Sequence, residues 1–438
     1  MRIAMIGTGY VGLVSGACLS EFGHSVVCVD KEAQKVEALR SGTIPIYEPR
    51  LDEVVATNTR AGRLTFETDI ANAVRGADAV FIAVGTPSRR GDGHADLTYV
   101  YAAAEEIARA LTGYAVIVTK STVPVGTSRE VEKIISKSRP DLEFDMASNP
   151  EFLREGSAID DFRRPDRVVV GCDTERAREI MREIYRPLYL NETPILFTSR
   201  ESSELIKYAA NAFLATKITF INEMADICEQ VGADVQDVSR GIGLDGRIGG
   251  KFLHAGPGFG GSCFPKDTLA LRKTAQDLGA PTKIVEAVVA VNDARKLAMA
   301  EKIEKAFGGV KGKTIAVLGL TFKPNTDDMR DAPSLVIVPF LQKKGATIRA
   351  FDPEGAREAR KLLNAELCRD AYEALEGADG VVILTEWNEF RALDTARMKI
   401  LLKTPLMIDL RNIYRPSQMA AAGFTYVSVG RATASPSA

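Results

Sequence analysis

The chain has 438 residues, of which 45% are hydrophobic and 26% are charged, and its formal net charge is −2. This composition is that of a globular protein long enough for two or three domains, and the charge balance argues against nucleic acid as a partner. No apolar run reaches the length of a membrane span, so no membrane segment is expected.

Cysteine and histidine usage narrows the classes of chemistry further. The six cysteines form no C-x-x-C pair, which is typical of reduced thiols in a cytoplasmic protein. The three histidines are scattered along the chain, so we expect neither a metal site nor a histidine-based triad.

The first part of the chain alternates short apolar strands with helical stretches. "RIAMIGTGYVG" is a strand that meets glycines, a helix follows to Phe22, and "GHSVVCVD" is a strand that ends on Asp30. Later strands are expected in "GADAVFIAVGTP", "YAVIVTKSTVPVGT", "FDMASNPEF" and "RVVVG". This alternation predicts a parallel, doubly wound sheet, and we assign residues 1–199 to an N-terminal Rossmann domain.

The middle of the chain has a different pattern. No glycine occurs between Glu201 and Val231, and the apolar residues recur at helical spacing, which predicts one long helix. A second helical stretch runs from about Thr268 to Phe307 and is interrupted at residues 279–281. We assign residues 200–306 to a central helical domain, whose apolar excess favours a homodimer interface.

The last third repeats the first pattern. "TIAVLGLTFKP", "GATIRAFDP", "GADGVVILTEW" and "PLMIDLRN" match the strands of the first part in the same order. The fold class is therefore α/β, with two Rossmann-like doubly wound domains joined by a central long-helix domain. The second copy, residues 307–438, has no G-x-G-x-x-G after its first strand, so we expect it to bind something other than a dinucleotide.

The glycine triplet of the first copy predicts a nucleotide site. Gly7, Gly9 and Gly12 form G-x-G-x-x-G between a strand and a helix, where they permit a tight turn and a close approach of pyrophosphate to the helix N-terminus. Asp30 ends the second strand and would accept hydrogen bonds from a ribose 2′-hydroxyl while repelling a 2′-phosphate. NAD is favoured over NADP; the alternative is a doubly wound domain that binds no nucleotide.

The stretch "GPGFGGSCFPKD", residues 256–267, predicts a reactive cysteine. Pro265 suits the first turn of a helix, so we expect a helix to begin just after Cys263. A cysteine at a helix N-terminus with Lys266 nearby would have thiolate character, and the glycines would let a ligand approach the backbone. The alternatives are a turn cysteine without a role, and an Asp267 that is only a favourable charge in the first turn.

Longer motifs carry a resemblance to a known family. "GPGFGGSCFPKD", "SNPEFLREGSAIDDF", "ELIKYAANAFLATKITFINE" and "STVPVGT" resemble the UDP-glucose/GDP-mannose dehydrogenase family, and the resemblance extends from Met1 to about Gly430. Two departures are Arg50, where the family usually has glycine, and Phe259, where bacterial members often have tyrosine.

The resemblance implies an enzyme that oxidises a sugar nucleotide twice without releasing the aldehyde. The expected reaction is NAD-dependent, four-electron oxidation of the C6 alcohol of UDP-glucose to UDP-glucuronate, through a thiohemiacetal and a thioester on Cys263. The alternatives are the same chemistry on GDP-mannose or a UDP-N-acetylhexosamine, and a regulatory protein that kept the fold and lost catalysis. "SCFPKD" and "FLHAG" favour UDP-glucose.

The resemblance also implies roles for individual residues. Lys207 and Asn211, four apart on the long helix, would hold the C6 oxygen, with a polar stripe as the alternative. Asp267 would take part in proton transfer together with an ordered water. Glu151 would be the base for thioester hydrolysis, and Glu155 would lie near the nicotinamide and Thr122. Without the resemblance, the two glutamates could be simple charges near a helix start. The implied catalytic residues are Cys263, Lys207, Asn211, Asp267, Glu151 and Thr122.

The implied binding residues form two sets. Those for NAD are Gly7, Gly9, Val11, Gly12, Asp30, Lys35, Thr86, Thr122, Glu155, Lys266 and Arg330. Those for the sugar nucleotide are Glu151, Phe152, Leu153, Glu155, Lys207, Asn211, Arg247, Phe252, Leu253, His254, Ala255, Gly256, Gly260 and Lys323. Arg247 resembles a residue that family dimers extend into the partner's site. Lys323 and Arg330 lie in the second Rossmann-like copy, which would place the sugar nucleotide between the copies.

Overall fold

The computed structural model describes residues 1–89 and 93–436. These residues form two compact units: Met1–Ala210 with Lys273–Leu278, and Asn211–Arg272 with Gly279–Ala438. Over the described residues, no helix is both long and apolar enough to cross a membrane.

The first unit contains a sheet of eight strands in the order β3-β2-β1-β4-β5-β6-β7-β8. The strands are β1 (Arg2–Ile6), β2 (Ser25–Val29), β3 (Leu64–Glu67), β4 (Ala79–Ile82), β5 (Ala115–Thr119), β6 (Phe144–Ser148), β7 (Val168–Cys172) and β8 (Ile195–Thr198). The predicted parallel sheet is confirmed for β1 to β6. The expectation of parallel strands is wrong for the "RVVVG" strand, because β7 runs antiparallel to β6 and parallel to β8.

Helices cover both faces of this sheet because successive residues of each strand point to opposite sides. Ile3 and Met5 pack in one apolar cluster, and Ala4 and Ile6 pack in another. The helices are α1 (Tyr10–Glu21), α2 (Ala33–Arg40), α3 (Leu51–Arg60), α4 (Ile70–Val74), α5 (Thr98–Ala110), α6 (Thr127–Ser138), α7 (Ala158–Arg163) and α8 (Glu175–Ile184), with a 3-10 helix at Arg186–Asn191. The doubly wound arrangement expected from the sequence is confirmed.

The central helices follow. They are α9 (Arg200–Val231), α10 (Val235–Gly243), α11 (Phe264–Asp277) and α12 (Lys283–Ala306). The single long helix is confirmed, and so is the interruption at residues 279–281, where Gly279 adopts a φ of +69° that favours glycine.

The second unit contains a sheet of six parallel strands in the order β11-β10-β9-β12-β13-β14. The strands are β9 (Thr314–Leu318), β10 (Thr347–Phe351), β11 (Glu366–Leu367), β12 (Gly380–Ile383), β13 (Leu406–Asp409) and β14 (Thr425–Ser428). The helices are α13 (Ser334–Lys343), α14 (Ala356–Leu362), α15 (Ala371–Leu375), α16 (Thr395–Leu401) and α17 (Pro416–Ala421), with a 3-10 helix at Asn388–Ala392. Its order of strands repeats that of β1 to β6, which confirms the second Rossmann-like copy.

Arg50 departs from the backbone geometry that its residue type prefers. It precedes α3 with a φ of +70°, in the left-handed region where a side chain is strained. Its guanidinium lies 3.1 Å from the carboxylate of Asp160 on α7, but both side chains are at least half exposed. An ion pair so exposed contributes little stability, so the strain is hardly offset.

We therefore expect Arg50→Gly to stabilise the protein. The left-handed conformation costs an arginine roughly 1–2 kcal/mol, and a glycine adopts it without this cost. Glycine also gives the unfolded chain more conformational freedom, which offsets part of the gain. We therefore expect the free energy of unfolding to rise by about 0.5–1 kcal/mol. Urea unfolding measures the change. Asp160→Ala is the control that removes the ion pair alone and should change the free energy of unfolding by less than about 0.5 kcal/mol. A destabilised Arg50→Gly would show that the ion pair outweighs the backbone strain.

Candidate functional site

The glycine turn after β1 has the geometry of a nucleotide cradle. Gly7 has a φ of +103°, and a Cβ on Gly12 would lie 2.0 Å from the carbonyl oxygen of Gly7, so both positions require glycine for the turn itself. A Cβ on Gly9, in contrast, would meet no protein atom within 4 Å. The open side of Gly9 lies directly before the N-terminus of α1, where a phosphate is stabilised by the helix dipole.

The carboxylate of Asp30 is already held at the end of β2. It accepts hydrogen bonds from the backbone nitrogen and the hydroxyl of Thr8, at 3.0 and 2.6 Å, and it lies 2.9 Å from the ammonium of Lys35. Burial raises the pKa of Asp30, but these hydrogen bonds outweigh it and lower the pKa to about 2. The residue is therefore ionised at neutral pH.

The loops after β4 and β5 meet at the same edge of the sheet. The hydroxyl of Thr86 donates to the carbonyl of Thr122 at 2.9 Å, and the hydroxyl of Ser121 donates to the carbonyl of Val84 at 2.7 Å. The structure thus brings together Thr86 and Thr122, which we assigned to the cofactor from the sequence. They lie at the carboxyl ends of parallel strands, where ligands bind in open α/β sheets.

Two more carboxylates fix this edge. Glu48 is buried and accepts hydrogen bonds from the hydroxyl of Tyr10 and from the backbone nitrogens of Gly156 (2.6 Å) and Ala158 (2.8 Å). It therefore joins the glycine turn to the segment that carries Glu155, which is also buried.

Glu204 plays a similar part for α9 and α6. Its carboxylate accepts hydrogen bonds from the backbone nitrogens of Gly126 (2.6 Å) and Ser128 (2.8 Å), at the start of α6. Burial raises the pKa of Glu204. Because Glu204 precedes Lys207 by one helical turn, this contact orients the face of α9 that carries Lys207.

Lys207 and Glu151 form a buried ion pair within the first unit. The ammonium lies 2.9 Å from the carboxylate, and the two side chains are only 3% and 5% exposed. The other oxygen of Glu151 accepts a 2.5 Å hydrogen bond from the backbone nitrogen of Leu153, and the ammonium of Lys207 lies 5.3 Å from the ring centre of Phe152. Four residues of the implied sugar-nucleotide set are therefore in one place.

Cys263 stands at the start of α11 in the second unit. The helix begins at Phe264, and the carbonyl of Cys263 accepts its first hydrogen bond from the backbone nitrogen of Asp267 at 2.8 Å. The predicted helix start is confirmed, and the half-buried thiol is at the helix N-terminus, where the dipole favours a thiolate.

Asp267 connects two further candidate residues. It is 1% exposed, accepts a 2.6 Å hydrogen bond from the amide of Asn211 and lies 2.6 Å from the ammonium of Lys266. The amide of Asn211 and the ammonium of Lys266 are thus both directed at this carboxylate.

The glycines before Cys263 are required by the protein's own packing. A Cβ on Gly260 would lie 2.4 Å from the carbonyl oxygen of Asp331, and one on Gly261 would lie 2.7 Å from the ring of Phe322. We expected these glycines to leave room for a ligand. That expectation is wrong for the space that a Cβ would occupy, because other residues of the protein fill it. There, the chain itself makes the close approach.

Three buried polar residues on the long helices support this loop, and none of them was among the residues predicted from the sequence. Asn222 accepts a hydrogen bond from the backbone nitrogen of Gly256, Asn292 accepts one from that of Phe259, and Arg295 donates to the carbonyl of Gly256. Polar residues at buried positions of apolar helices are the signal that would have found them.

The remaining sugar-nucleotide candidates lie in the second unit. Leu253, His254 and Ala255, together with α10 and Arg411, line a cavity of about 380 Å³, large enough for part of a small ligand. Phe252 precedes them with a φ of +65°.

Three basic candidates of the second unit lie apart from this cavity lining. Lys323 lies over the ring of Phe322, Arg330 is paired with Asp328, and Arg247 is paired with Asp245. The side chain of Arg247 is 88% exposed. In residues 1–89 and 93–436 no cluster of three possible metal ligands occurs.

Three models of one protein family match consecutive parts of the chain. Residues 1–189 match the NAD binding domain of the UDP-glucose/GDP-mannose dehydrogenase family, residues 201–294 its central domain and residues 316–416 its UDP binding domain. A UDP-glucose 6-dehydrogenase of Rhizobium meliloti is 65% identical over 98% of this chain and 100% of its own.

Solved structures agree with the fold. A UDP-glucose dehydrogenase of Pyrobaculum islandicum has a TM-score of 0.91 at 38% identity, covering 98% of each chain. A UDP-D-ManNAc dehydrogenase of Pyrococcus horikoshii has a TM-score of 0.86 at 25% identity, covering 98% of this chain and 99% of its own.

The glycine turn yields a matched pair of variants. Gly9→Ala should change the free energy of unfolding by less than about 0.5 kcal/mol, because its Cβ meets no protein atom. It should nevertheless raise the Kd for NAD at least about tenfold, because the new methyl group blocks the phosphates. Gly12→Ala should destabilise the fold by roughly 1–3 kcal/mol, because its Cβ collides with Gly7. Calorimetric titration with NAD and thermal unfolding measure both effects. Unchanged NAD affinity in Gly9→Ala would contradict the cradle.

Proposed function

Because the chain belongs to the UDP-glucose/GDP-mannose dehydrogenase family, we propose that it oxidises the C6 alcohol of UDP-glucose to the carboxylate of UDP-glucuronate. The chain is an NAD-dependent oxidoreductase, and residues 1–189 make up its NAD-binding domain. The choice of UDP-glucose is supported by the identity of 65% to a UDP-glucose 6-dehydrogenase. The division into domains at residues 1–199, 200–306 and 307–438 is part of the proposal.

The first sheet supplies the groups that would hold the cofactor. The open side of Gly9 fits a pyrophosphate, and the ionised Asp30 fits the ribose hydroxyls. NAD, when bound, accepts the hydride in each of the two oxidations. Asp30 would repel the 2′-phosphate of NADP, although Lys35 offsets part of that repulsion.

Cys263 is the proposed nucleophile, and its place at the N-terminus of α11 is the observation that carries the proposal. An aldehyde yields a second hydride only after a nucleophile has added to its carbonyl carbon. The thiolate adds to form a thiohemiacetal, loss of hydride converts this to a thioester, and water then cleaves the thioester to the acid and free thiol.

Buried polar groups would stabilise the negative charge that develops on the substrate and would transfer its protons. Lys207 and Asn211 would stabilise negative charge on the C6 oxygen, because preorganised donors in a dry site act most strongly where charge develops. Asp267, already bonded to Asn211 and Lys266, would take part in proton transfer with a water. Glu151 would accept a proton from the water that attacks the thioester.

Other sugar nucleotides are the second candidate substrates. The same residues could oxidise GDP-mannose or a UDP-N-acetylhexosamine, but the identity to a UDP-D-ManNAc dehydrogenase is only 25%. A regulatory protein without catalysis is disfavoured, since every implied catalytic residue is present in the chain.

A homodimer is also part of the proposal. Phe213, Phe220, Ile227 and Val231 lie on one face of α9 at helical spacing and are 46–70% exposed. A stripe of large apolar side chains that lies open to solvent in one chain marks an interaction surface, and a second copy buries it symmetrically. Arg247 would then be available to the partner's site.

The reaction is tested by its stoichiometry. Wild-type protein should form two NADH per UDP-glucose and release no aldehyde. Cys263→Ala should lower the conversion of alcohol to acid by about three or more powers of ten, as removal of a nucleophile does elsewhere. Absorbance of NADH and chromatography of the sugar nucleotides measure both quantities.

The matched control is Cys368→Ala, which removes another partly buried thiol. Wild-type turnover with two NADH per sugar in Cys263→Ala would exclude the cysteine as the nucleophile. Oxidation of GDP-mannose or of a UDP-N-acetylhexosamine in preference to UDP-glucose would reassign the substrate.

The dimer is tested by placing a charge in the apolar stripe. Phe220→Asp should convert the dimer to monomer, because an unpaired carboxylate buried in an interface costs several kcal/mol. Sedimentation velocity measures the mass. Ile400→Asp is the control, since Ile400 is 83% exposed on another helix. A wild-type protein that sediments as a 47.4 kDa monomer would rule out the dimer.

A further inference from the structure

One buried lysine of the first unit has no role in the proposed reaction. Lys120 follows β5 directly, and only 3% of it is exposed. Its backbone nitrogen donates to the carbonyl of Ile82 on β4, which fixes the start of the side chain between two central strands. A charged side chain held in the interior requires hydrogen-bond partners, and the structure provides them.

Lys120 lies in a closed network of hydrogen bonds. Its ammonium lies 3.2 Å from the side-chain oxygen of Asn149, 3.3 Å from the carbonyl oxygen of the same residue and 3.4 Å from the hydroxyl of Tyr185. The hydroxyl of Tyr185 donates to the same side-chain oxygen at 2.5 Å, and the amide of Asn149 donates to the carbonyl of Val169. Asn149 is thus held from three sides.

This network ends two residues before Glu151. The backbone nitrogen of Asn149 donates to the carbonyl of Thr119, and the chain then passes through Pro150 to Glu151. The direction of the Glu151 carboxylate toward Lys207 therefore depends on how firmly Asn149 is held. Two ammonium groups, those of Lys120 and Lys207, share the neighbourhood of one carboxylate, that of Glu151.

We propose that Lys120 is a positioning residue for the oxidation: it holds the Asn149–Glu151 segment and supplies the second positive charge beside the Glu151–Lys207 pair. This inference rests on the proposed function, in which Lys207 stabilises the C6 oxygen. The charge of Lys120 attracts Glu151 and repels Lys207. It therefore weakens the attraction of the Glu151 carboxylate for the Lys207 ammonium. That ammonium then becomes more available to the substrate oxygen.

The state of charge of Lys120 depends on pH in the working range of an enzyme. Burial lowers the pKa of Lys120 to about 8; Glu151 opposes this shift and Lys207 adds to it. The titratable groups that face Lys120 are Glu151 after β6, Lys207 on α9 and Tyr185 after α8. The positive charge is present below about pH 8 and is lost above it.

The experiment compares Lys120→Met with wild type. Methionine has nearly the same length and no charge. We expect kcat for NADH formation from UDP-glucose to fall roughly 10- to 100-fold, the size of effect that a misplaced catalytic group produces, with KM changed less. The wild-type profile of kcat against pH should show an inflection near pH 8 that the variant lacks. Lys137→Met, at an exposed site on α6, is the matched control.

Stability provides a readout that does not require turnover. In the unfolded chain the pKa of a lysine is about 10.4, so between about pH 8 and that value the unfolded state binds more protons at this residue. The free energy of unfolding of wild type should therefore rise with pH across this window relative to Lys120→Met. Parallel curves for the two proteins would show that Lys120 is not a buried charge, and would overturn the proposal.

Tyr185→Phe is a second variant, which keeps the charge of Lys120 and removes one contact to Asn149. It should lower kcat several-fold and keep the inflection near pH 8. Wild-type kcat and pH profile in Lys120→Met would overturn the inference. A wild-type protein that does not oxidise UDP-glucose would contradict the proposed function instead, and the stability curves would then decide on Lys120 alone.

Discussion

The buried ion pair between Glu151 and Lys207 is the constraint on which the site of the first unit depends. Removing two charges from water costs several kcal/mol for each ion, and their attraction repays this only in a well-held geometry. The surrounding elements supply that geometry. Glu204 anchors α9 one turn before Lys207, and the network of Asn149 holds the chain before Glu151.

The same edge of the sheet is held together by carboxylates that contact backbone nitrogens. Glu48 binds two nitrogens near the start of α7 and the hydroxyl of Tyr10 in the glycine turn, while Asp30 binds Thr8 in that turn. A loop fixed in this way needs little reorganisation when a ligand arrives. Preorganised groups are the main source of electrostatic stabilisation in enzymes.

In the second unit, glycines and side-chain amides hold the loop before Cys263 in place. The loop before Cys263 packs so closely against Asp331 and Phe322 that side chains would collide, and Asn222 and Asn292 satisfy its backbone groups. The second Rossmann-like sheet has an aspartate, Asp352, at the position that Asp30 occupies in the first. Asp352 accepts hydrogen bonds from Leu320, Thr321, Glu354, Gly355 and Trp387, so both of its oxygens are used within the protein. In this respect Asp352 is similar to Asp30, whose two oxygens also accept hydrogen bonds from the protein.

Local sequence patterns were enough to predict the two doubly wound sheets, the long helix and the helix start after Cys263. These follow from local signals: period-two and period-3.6 patterns, glycines after strands, and Pro265 in a first turn. The resemblance of the long motifs to the family also made Lys207, Asn211 and Asp267 candidate site residues.

Which of these groups meet could be seen only in the folded chain. Lys207 meets Glu151 and Asn211 meets Asp267, across 56 positions of the chain in each case. The antiparallel β7, the packing role of Gly260 and Gly261, and the partners of Glu48 and Lys120 were likewise beyond the sequence. Each depends on contacts between residues far apart in the chain, and on the burial that makes an unpaired charge costly, neither of which leaves a local pattern.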